Sequence, residues 1–499
     1  MTAHVATNGK TSYGVTRFVV LAIAALQLSF MLVSVISFNA AYVSMLNLKS
    51  SPLWEAYSNG SIPEPDWSSH SLPIADRRYK WGFTEKSYSF GGVFVGALLG
   101  TQPIRSLMRR HGAHKSMVVL GSIAAVSVIL SPWALSYSFA AFVAIRLTNG
   151  AAYSNLFPAA GMVVTHWAPL KERGIFVAVL TGHVEIAGLY AIPMGGFIST
   201  HVGWPHFYWL NGIILAVLTL LWGLFYRDHP HQHPYMSEGE VLKCAEGKSL
   251  QATQATKPPV RKIVSTPVIL ASWLAVVGQF QTSQYAMAWA PVYLCHVLDY
   301  SPAASGIITA VPLLLQFVTR ASTGILSDRL SMCEVLKLRI FNSVSFYGGA
   351  LCFAVIAFMG LTHTVIDIVL AMAPIGLLGV QAGGYSKGIV LVSRQHTAFV
   401  MSVVGMTSCA TMLGGSFIVP ALTPNNSFEE WRNLFFVYVV VLVATNTVYV
   451  VCARSDAAAW TEESDSPSID TEKRSHRQTS SIADEDNNNA DLKSNSTSK

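Results

Sequence analysis

Apolar runs of about 20 residues recur along nearly the whole of this 499-residue chain. An α-helix needs about that many residues to cross a hydrocarbon core roughly 30 Å thick. Charge is correspondingly scarce. Asp, Glu, Lys and Arg make up 12% of the residues, half of the roughly 25% usual in soluble domains and too little to clothe a large water-facing surface. The chain reads as an all-α membrane protein that crosses the lipid bilayer many times.

The first run, 18–45, far exceeds the roughly 7–15 apolar residues of a signal peptide and reads as a retained membrane helix. Further spans are expected near 88–108, 116–137, 139–165, 174–199 and 207–226, then near 265–294, 303–325, 340–361, 364–386, 396–421 and 432–453. These twelve helices form two halves of six, 18–226 and 265–453, separated by a polar, basic segment at 227–264. A polar N-terminus, 1–17, precedes them. The tail, 454–499, is rich in Ser, Asp, Asn and Thr, a composition expected to be disordered.

Basic residues set the orientation. Arg105, Arg109, Arg110 and Lys115 share one loop, Lys171 and Arg173 a second, and Arg329, Lys337 and Arg339 a third on the same side. The alternate loops 131–139 and 200–208 contain neither Lys nor Arg. The positive-inside rule therefore places both termini and the central segment in the cytoplasm. The long exterior loop, 46–87, carries five basic residues, but long loops obey that rule poorly. It also holds the sequon Asn59-Gly60-Ser61, exposed to glycosylation in this orientation, and Asn425-Asn426-Ser427 is a second exterior sequon. The net charge of +6 is spread between spans, which excludes a nucleic-acid partner.

Two halves of six helices around a basic central loop are the plan of a major facilitator transporter, whose halves rock about a central site. Gly324-Ile325-Leu326-Ser327-Asp328-Arg329 resembles that superfamily's G-x-x-x-D-R loop. The resemblance implies a gating role for Gly324, Asp328 and Arg329. Trp167-Ala168-Pro169-Leu170-Lys171-Glu172-Arg173 is similar to the W-x-P-x-x-E-R signature of the anion:cation symporters. That branch is solute carrier family seventeen: sialins, vesicular glutamate transporters and type I sodium-phosphate cotransporters. Gly203-Trp204 with Phe207-Tyr208, His233-Pro234 with Ser237 and Glu240, Pro291 with Tyr293, and Glu430-Trp431 follow in the family's order. The similarity covers about residues 17–460.

The resemblance implies secondary transport of a small organic anion or phosphate by alternating access, with H+ or Na+ as coupling ion. Arg146 matches an arginine of the family's anion path. A charge at membrane depth costs roughly 2.5–3.5 kcal/mol on insertion scales, so Arg146 is expected to face the cavity; the alternative is a structural partner for backbone or acidic groups. Other family charges are replaced: Tyr153 stands for a membrane glutamate, Ser37 for an arginine whose neighbouring Asn39 persists, and Gln279 for an arginine of span seven. Tyr385-Ser386-Lys387-Gly388-Ile389-Val390-Leu391 replaces F-N-x-N-x-x-D, and Lys387 reads as a lysine snorkelling to the interface.

New polar groups arise in Gly182-His183-Val184-Glu185. Two residues apart on a helix, His183 and Glu185 point about 200° apart. Glu185, with Tyr153, is the expected replacement for the missing proton site and His183 is a second candidate; the alternative is that either residue hydrogen-bonds within the bundle. Gln281 and Gln284 share a face at i,i+3, Tyr285 is expected to join them, and the stripe serves either the solute or helix packing.

The residues contain no metal-ligand spacing, no ATP-binding loop and no nucleophile elbow. The chain is thus expected to be a carrier and not an enzyme, without cofactor or metal, monomeric, and resident in the plasma membrane or a lysosomal or vesicular membrane. The rivals are a transport-inactive relative acting as receptor or scaffold, and a carrier of a neutral or cationic solute.

Overall fold

In a computed structural model, the described residues are 15–48, 51, 53–61, 63–69, 71–154, 156–169, 172–245, 258–360 and 364–462. Of Arg173 and Asp328 the backbone alone is described. The expectations for 1–14, 246–257 and 463–499 fall outside the described residues. What is described is helical, and among the described residues there is no strand.

Eight continuous helical runs are long and apolar enough to cross a membrane. Two of them are too long for one crossing. Phe83–Tyr137 has 55 residues, about 82 Å at 1.5 Å per residue. It reverses at Gly112, whose φ of 77° is left-handed backbone that glycine adopts without strain. Asp228 of the central segment fills the corner: it accepts a hydrogen bond from the His114 amide at 2.9 Å, and a Cβ at residue 112 would lie 2.2 Å from its carboxylate. The 52-residue run Gly174–Phe225 likewise holds two crossings. Two further spans are interrupted helices.

The twelve spans are therefore α1 (Thr16–Leu46), α2 (83–111), α3 (113–137), α4 (Phe139–Tyr153 with Leu156–Trp167), α5 (Arg173–Thr181 with His183–Ile198) and α6 (Trp204–Phe225). The second half has α7 (Pro267–Gln284, a π-helical turn Tyr285–Trp289, then Ala290–His296), α8 (Pro302–Arg329) and α9 (Glu334–Met359). It ends with α10 (Thr364–Leu377, a 3-10 stretch Leu378–Gly383, then Tyr385–Ser393), α11 (Thr397–Leu422) and α12 (Phe428–Cys452).

The halves meet along two helix pairs, α5 with α8 and α2 with α11. Counting six helices per half, these pairs exchange under the internal repeat. Toward the end that carries loop 46–87 the seam is tight. A Cβ on Gly196 of α5 would lie 2.4 Å from the Pro302 carbonyl of α8, and one on Gly306 of α8 would lie 2.8 Å from the Ile192 carbonyl. Only glycine lets these backbones approach so closely. Phe90 of α2 meets Trp289 of α7 with ring centroids 4.4 Å apart. Toward the central-segment end, Cβ positions on Gly161, Gly174, Gly324 and Gly405 would meet no atom within 4 Å.

One sequence expectation is corrected. Residues 454–462 begin no disordered tail, because Trp460, 6% exposed, docks on the second half. Its indole donates to Thr266 Oγ1 at 3.0 Å, and the Ala458 amide donates to the Val392 carbonyl. The central segment is also partly folded, through helix Glu238–Ala245.

Candidate substrate and coupling site

The signature residues build the central-segment end of the first half. Trp167 is fully buried; its indole donates to the Arg227 carbonyl at 2.9 Å, and its ring meets His233 edge-on at 5.6 Å. The W-x-P and H-P motifs, 66 residues apart in sequence, thus pack on each other, with Pro169 ending α4 beside them. Burial pushes the His233 imidazole down from its ordinary value, so it packs as a neutral ring. Glu172 receives two hydrogen bonds from Arg17, Nε to Oε2 and Nη2 to Oε1, both 2.8 Å. Those bonds hold the Glu172 carboxyl below the usual carboxylate value. Arg17 also pairs with the buried Glu240 at 3.4 Å. These motifs clamp the central segment onto α1.

Arg146 departs from the expectation that it faces the cavity. It is 2% exposed; Nε donates to the Ser89 carbonyl and Nη1 to the Val35 carbonyl, both at 3.0 Å. The guanidinium lies 4.9 Å from the Phe38 ring centroid. Two carbonyls and an aromatic face compensate the buried charge, so here Arg146 ties α4 to α1 and α2. Ser37, at the missing arginine, accepts a hydrogen bond from Asn211 at 3.0 Å, and Tyr190 donates to Asn211. Asn39 and Tyr153 are half-buried beside this core.

The glutamines of α7 divide. Gln284 donates to the Met412 carbonyl at 2.8 Å and Ser416 Oγ at 3.0 Å, pinning α7 to α11. Gln279 accepts a hydrogen bond from the Tyr385 hydroxyl of α10. Gln281 is buried between them in sequence, 8% exposed. Tyr285 does not join this face. The π-helical turn begins there and shifts the helical phase, sending the ring among Phe353, Phe435 and Tyr438.

Lys387 does not snorkel. Its ammonium donates to Ser327 Oγ at 3.0 Å and stands 3.4 Å from Glu334, which also holds Lys337 at 2.6 Å. The broken helix α10 is thereby tethered to the last turns of α8, which contain Gly324 and Arg329, and to the first residue of α9. In loop 46–87, Asn59 is exposed before a turn in which Gly60 has φ 72°.

His183 and Glu185 have separate partners, as their angular spacing implies. His183 contacts the Leu180 carbonyl through Nδ1 at 2.7 Å. Glu185 is 0% exposed, and its partner is neither Tyr153 nor His183: Arg320 of α8 places Nη1 2.6 Å from Oε1. This ion pair joins the two halves in the middle of the bundle, about 18 Å along α5 from Arg173. Arg320 is absent from the sequence expectations. The argument that singles out Arg146 applies to it equally, since it too is a charge inside an apolar span.

The comparisons with known proteins agree with this architecture. Residues 18–386 match the model of the Major Facilitator Superfamily. Sheep (Ovis aries) sialin is 22% identical over 409 residues, spanning 78% of this chain and 81% of its own length. Mouse (Mus musculus) sodium-dependent phosphate transport protein 3 is 21% identical over 417 residues, 83% of this chain and 86% of its own. The solved structure of the xylose transporter XylE from E. coli superimposes with a TM-score of 0.62 at 12% identity, covering 88% of this chain and 97% of that one. The fold, the buried inter-half charges and the matched residues converge: this chain belongs to the Major Facilitator Superfamily and is a secondary active transporter.

Proposed function

We propose that the protein carries a small organic anion across its membrane by alternating access, together with a proton. The observation that carries this reading is the ion pair Glu185–Arg320, one acid and one base from opposite halves at mid-membrane. Intramembrane charges of this kind mark ion and solute pathways. Gln279, Gln281 and Tyr385 in the second half and Asn39 and Tyr153 in the first supply hydrogen-bonding groups for an organic solute. The names of the relatives support an anion: a sialin and a sodium-dependent phosphate transport protein.

With both termini in the cytoplasm, loop 46–87 is exterior, and the seal at Gly196 and Gly306 closes the exterior side. The structure is then the inward-facing member of the cycle. Gly324, Asp328 and Arg329 lie at the open end, where the tether through Lys387 and Ser327 lets α8 and α10 move as one. The membrane is the plasma membrane or a lysosomal or vesicular one.

Uptake by purified protein in liposomes tests the reading, with pH gradient and membrane potential imposed separately. The panel is labelled sialic acid, glutamate, aspartate, phosphate, urate and nucleotides. Saturable uptake of one anion that follows the proton gradient and stops with a protonophore is expected. Folded protein that carries no anion under either gradient overturns it.

A further inference from the structure

We propose that Arg320 is the receptor for the anionic group of the solute and that Glu185 is its built-in competitor, so that solute and proton bind as a unit. This rests on the anion-carrier reading above and adds the atoms that perform the coupling.

The two partners are unequally placed. The Glu185 side chain is 1% exposed and that of Arg320 is 27% exposed, so a solute entering from the open end meets the guanidinium before the carboxylate. Glu185 is also poorly satisfied. Neither oxygen accepts an aligned hydrogen bond, despite the 2.6 Å approach of Arg320 Nη1. A buried carboxylate accepts several hydrogen bonds where it is stably held; here a neighbouring charge is all that balances it. Arg320 retains donors as well, for its Nε is buried without a partner. A guanidinium presents five N–H groups in a planar fork that matches a carboxylate or phosphate in bidentate fashion.

The surroundings leave this pair to itself. α5 packs against α8, α1, α6 and, through its first segment, α4, whose Arg146 is held by the Ser89 and Val35 carbonyls and which also carries Tyr153 and His166. α1 brings Arg17 and Tyr42, toward its two ends, and α6 brings His206 and Tyr208, in its first turns. The other charged residues of α8, Asp328 and Arg329, lie about 12 Å or more along the helix from Arg320. His183 on α5 and Tyr385 on α10 are within electrostatic reach of Arg320, each engaged elsewhere, with the Leu180 carbonyl and Gln279. Arg146 aside, these elements bring, among the described residues, no second Lys or Arg to this level.

A monoanion on Arg320 beside an ionised Glu185 would leave one uncompensated negative charge at mid-membrane, which is costly. A monoanion therefore takes Arg320 only as Glu185 takes a proton from water at a carboxylate oxygen. The pocket holds one positive and one negative charge before the exchange and the same after it. One proton accompanies each monoanion, and release reverses both steps. Protonated Glu185 no longer holds α5 to α8, so the inter-half ion pair opens when both ligands are aboard.

The test uses N-acetylneuraminate and D-glucuronate, two monocarboxylates that keep their charge between pH 6 and 8. Binding to detergent-purified full chain is followed by calorimetry in two buffers of different ionisation enthalpy, which counts protons. Wild type is expected to take up one proton per anion, with affinity falling about tenfold per pH unit on the alkaline side. Glu185→Gln is expected to bind without proton uptake and without pH dependence. The charge-neutral double variant Glu185→Gln/Arg320→Gln, which leaves no buried charge unpaired, is expected to melt as Glu185→Gln does and to bind neither anion. Proton uptake that persists in Glu185→Gln, or a double variant that binds as Glu185→Gln does, overturns the competition and leaves the carrier reading standing. Wild type that binds neither probe and carries no anion of the panel overturns both.

Discussion

Arg17 and Glu172 form a bidentate pair, with Nε–Oε2 and Nη2–Oε1 both at 2.8 Å, joining the start of α1 to the turn before α5, 155 residues away. The same guanidinium holds Glu240 of the central segment. The W-x-P-x-x-E-R signature is thus a fastening between membrane helices and the central segment, so its residues affect transport through the positions of helices.

Glu172→Gln is expected to lower stability by about 1 kcal/mol, near the upper range for a partly exposed ion pair. The sign with pH follows from the folded carboxyl lying below its usual 4.5. The contribution is complete above that value and disappears as pH falls through the folded value. Thermal unfolding of the solubilised protein should therefore separate wild type from variant at pH 7 and bring them together in acid. A gap that does not shrink as the pH is lowered into the acid range contradicts the assignment.

Asn59 should carry a glycan when the protein passes through a secretory pathway. It is exposed and begins a glycine turn. Asn425 should stay unmodified, since its amide donates to Glu430 Oε1 at 2.9 Å just before α12. Glycosidase treatment followed by gel mobility reads this directly: the shift should vanish in Asn59→Gln and persist in Asn425→Gln. No shift in wild type refutes the exterior assignment of this surface, and the reverse pattern refutes the protection of Asn425 by Glu430.

The number of spans was legible in the sequence because hydrocarbon thickness fixes helix length; α1 lies within two residues of its expected ends. The interruptions were not. The π-helical turn at Tyr285 and the 3-10 stretch at Leu378–Gly383 depend on how neighbouring helices press on them, which a helical wheel does not contain. The site was half legible. Glu185 stands out as a buried acid in an apolar run, but its partner lies 135 positions later, and an ion pair between halves is a property of packing. Arg146 shows the opposite difficulty. The cost of a buried charge correctly requires compensation, yet two backbone carbonyls and a ring supply it as well as a solute does.

Arg146→Ala should therefore act on folding. It removes two charge-assisted hydrogen bonds and leaves the Ser89 and Val35 carbonyls unpaired, a loss of about 3 kcal/mol. Reduced yield and a lower unfolding temperature are expected, with the KM of the surviving carrier close to wild type. An anion-binding role predicts the reverse: normal stability and a KM raised tenfold or more. Measuring both quantities on one preparation decides between them.

Gly196→Ala tests the exterior seal. Its new Cβ would lie 2.4 Å from the Pro302 carbonyl oxygen and 3.3 Å from the Ala303 Cα, backbone atoms that no side-chain rotation moves. α5 and α8 must separate there, which penalises the sealed state selectively and shifts the halves toward the exterior-open one. The expected outcome is faster labelling of a cysteine placed at Phe90, beside Trp289 at the seam, by an impermeant reagent added outside. Gly161→Ala, whose Cβ meets nothing within 4 Å, should leave that labelling rate unchanged. Because the seal is half of an alternating cycle, Gly196→Ala should also slow proton-driven uptake even at saturating solute. Equal labelling in the two variants would show that the close approach of α5 and α8 does not set the balance between the two states.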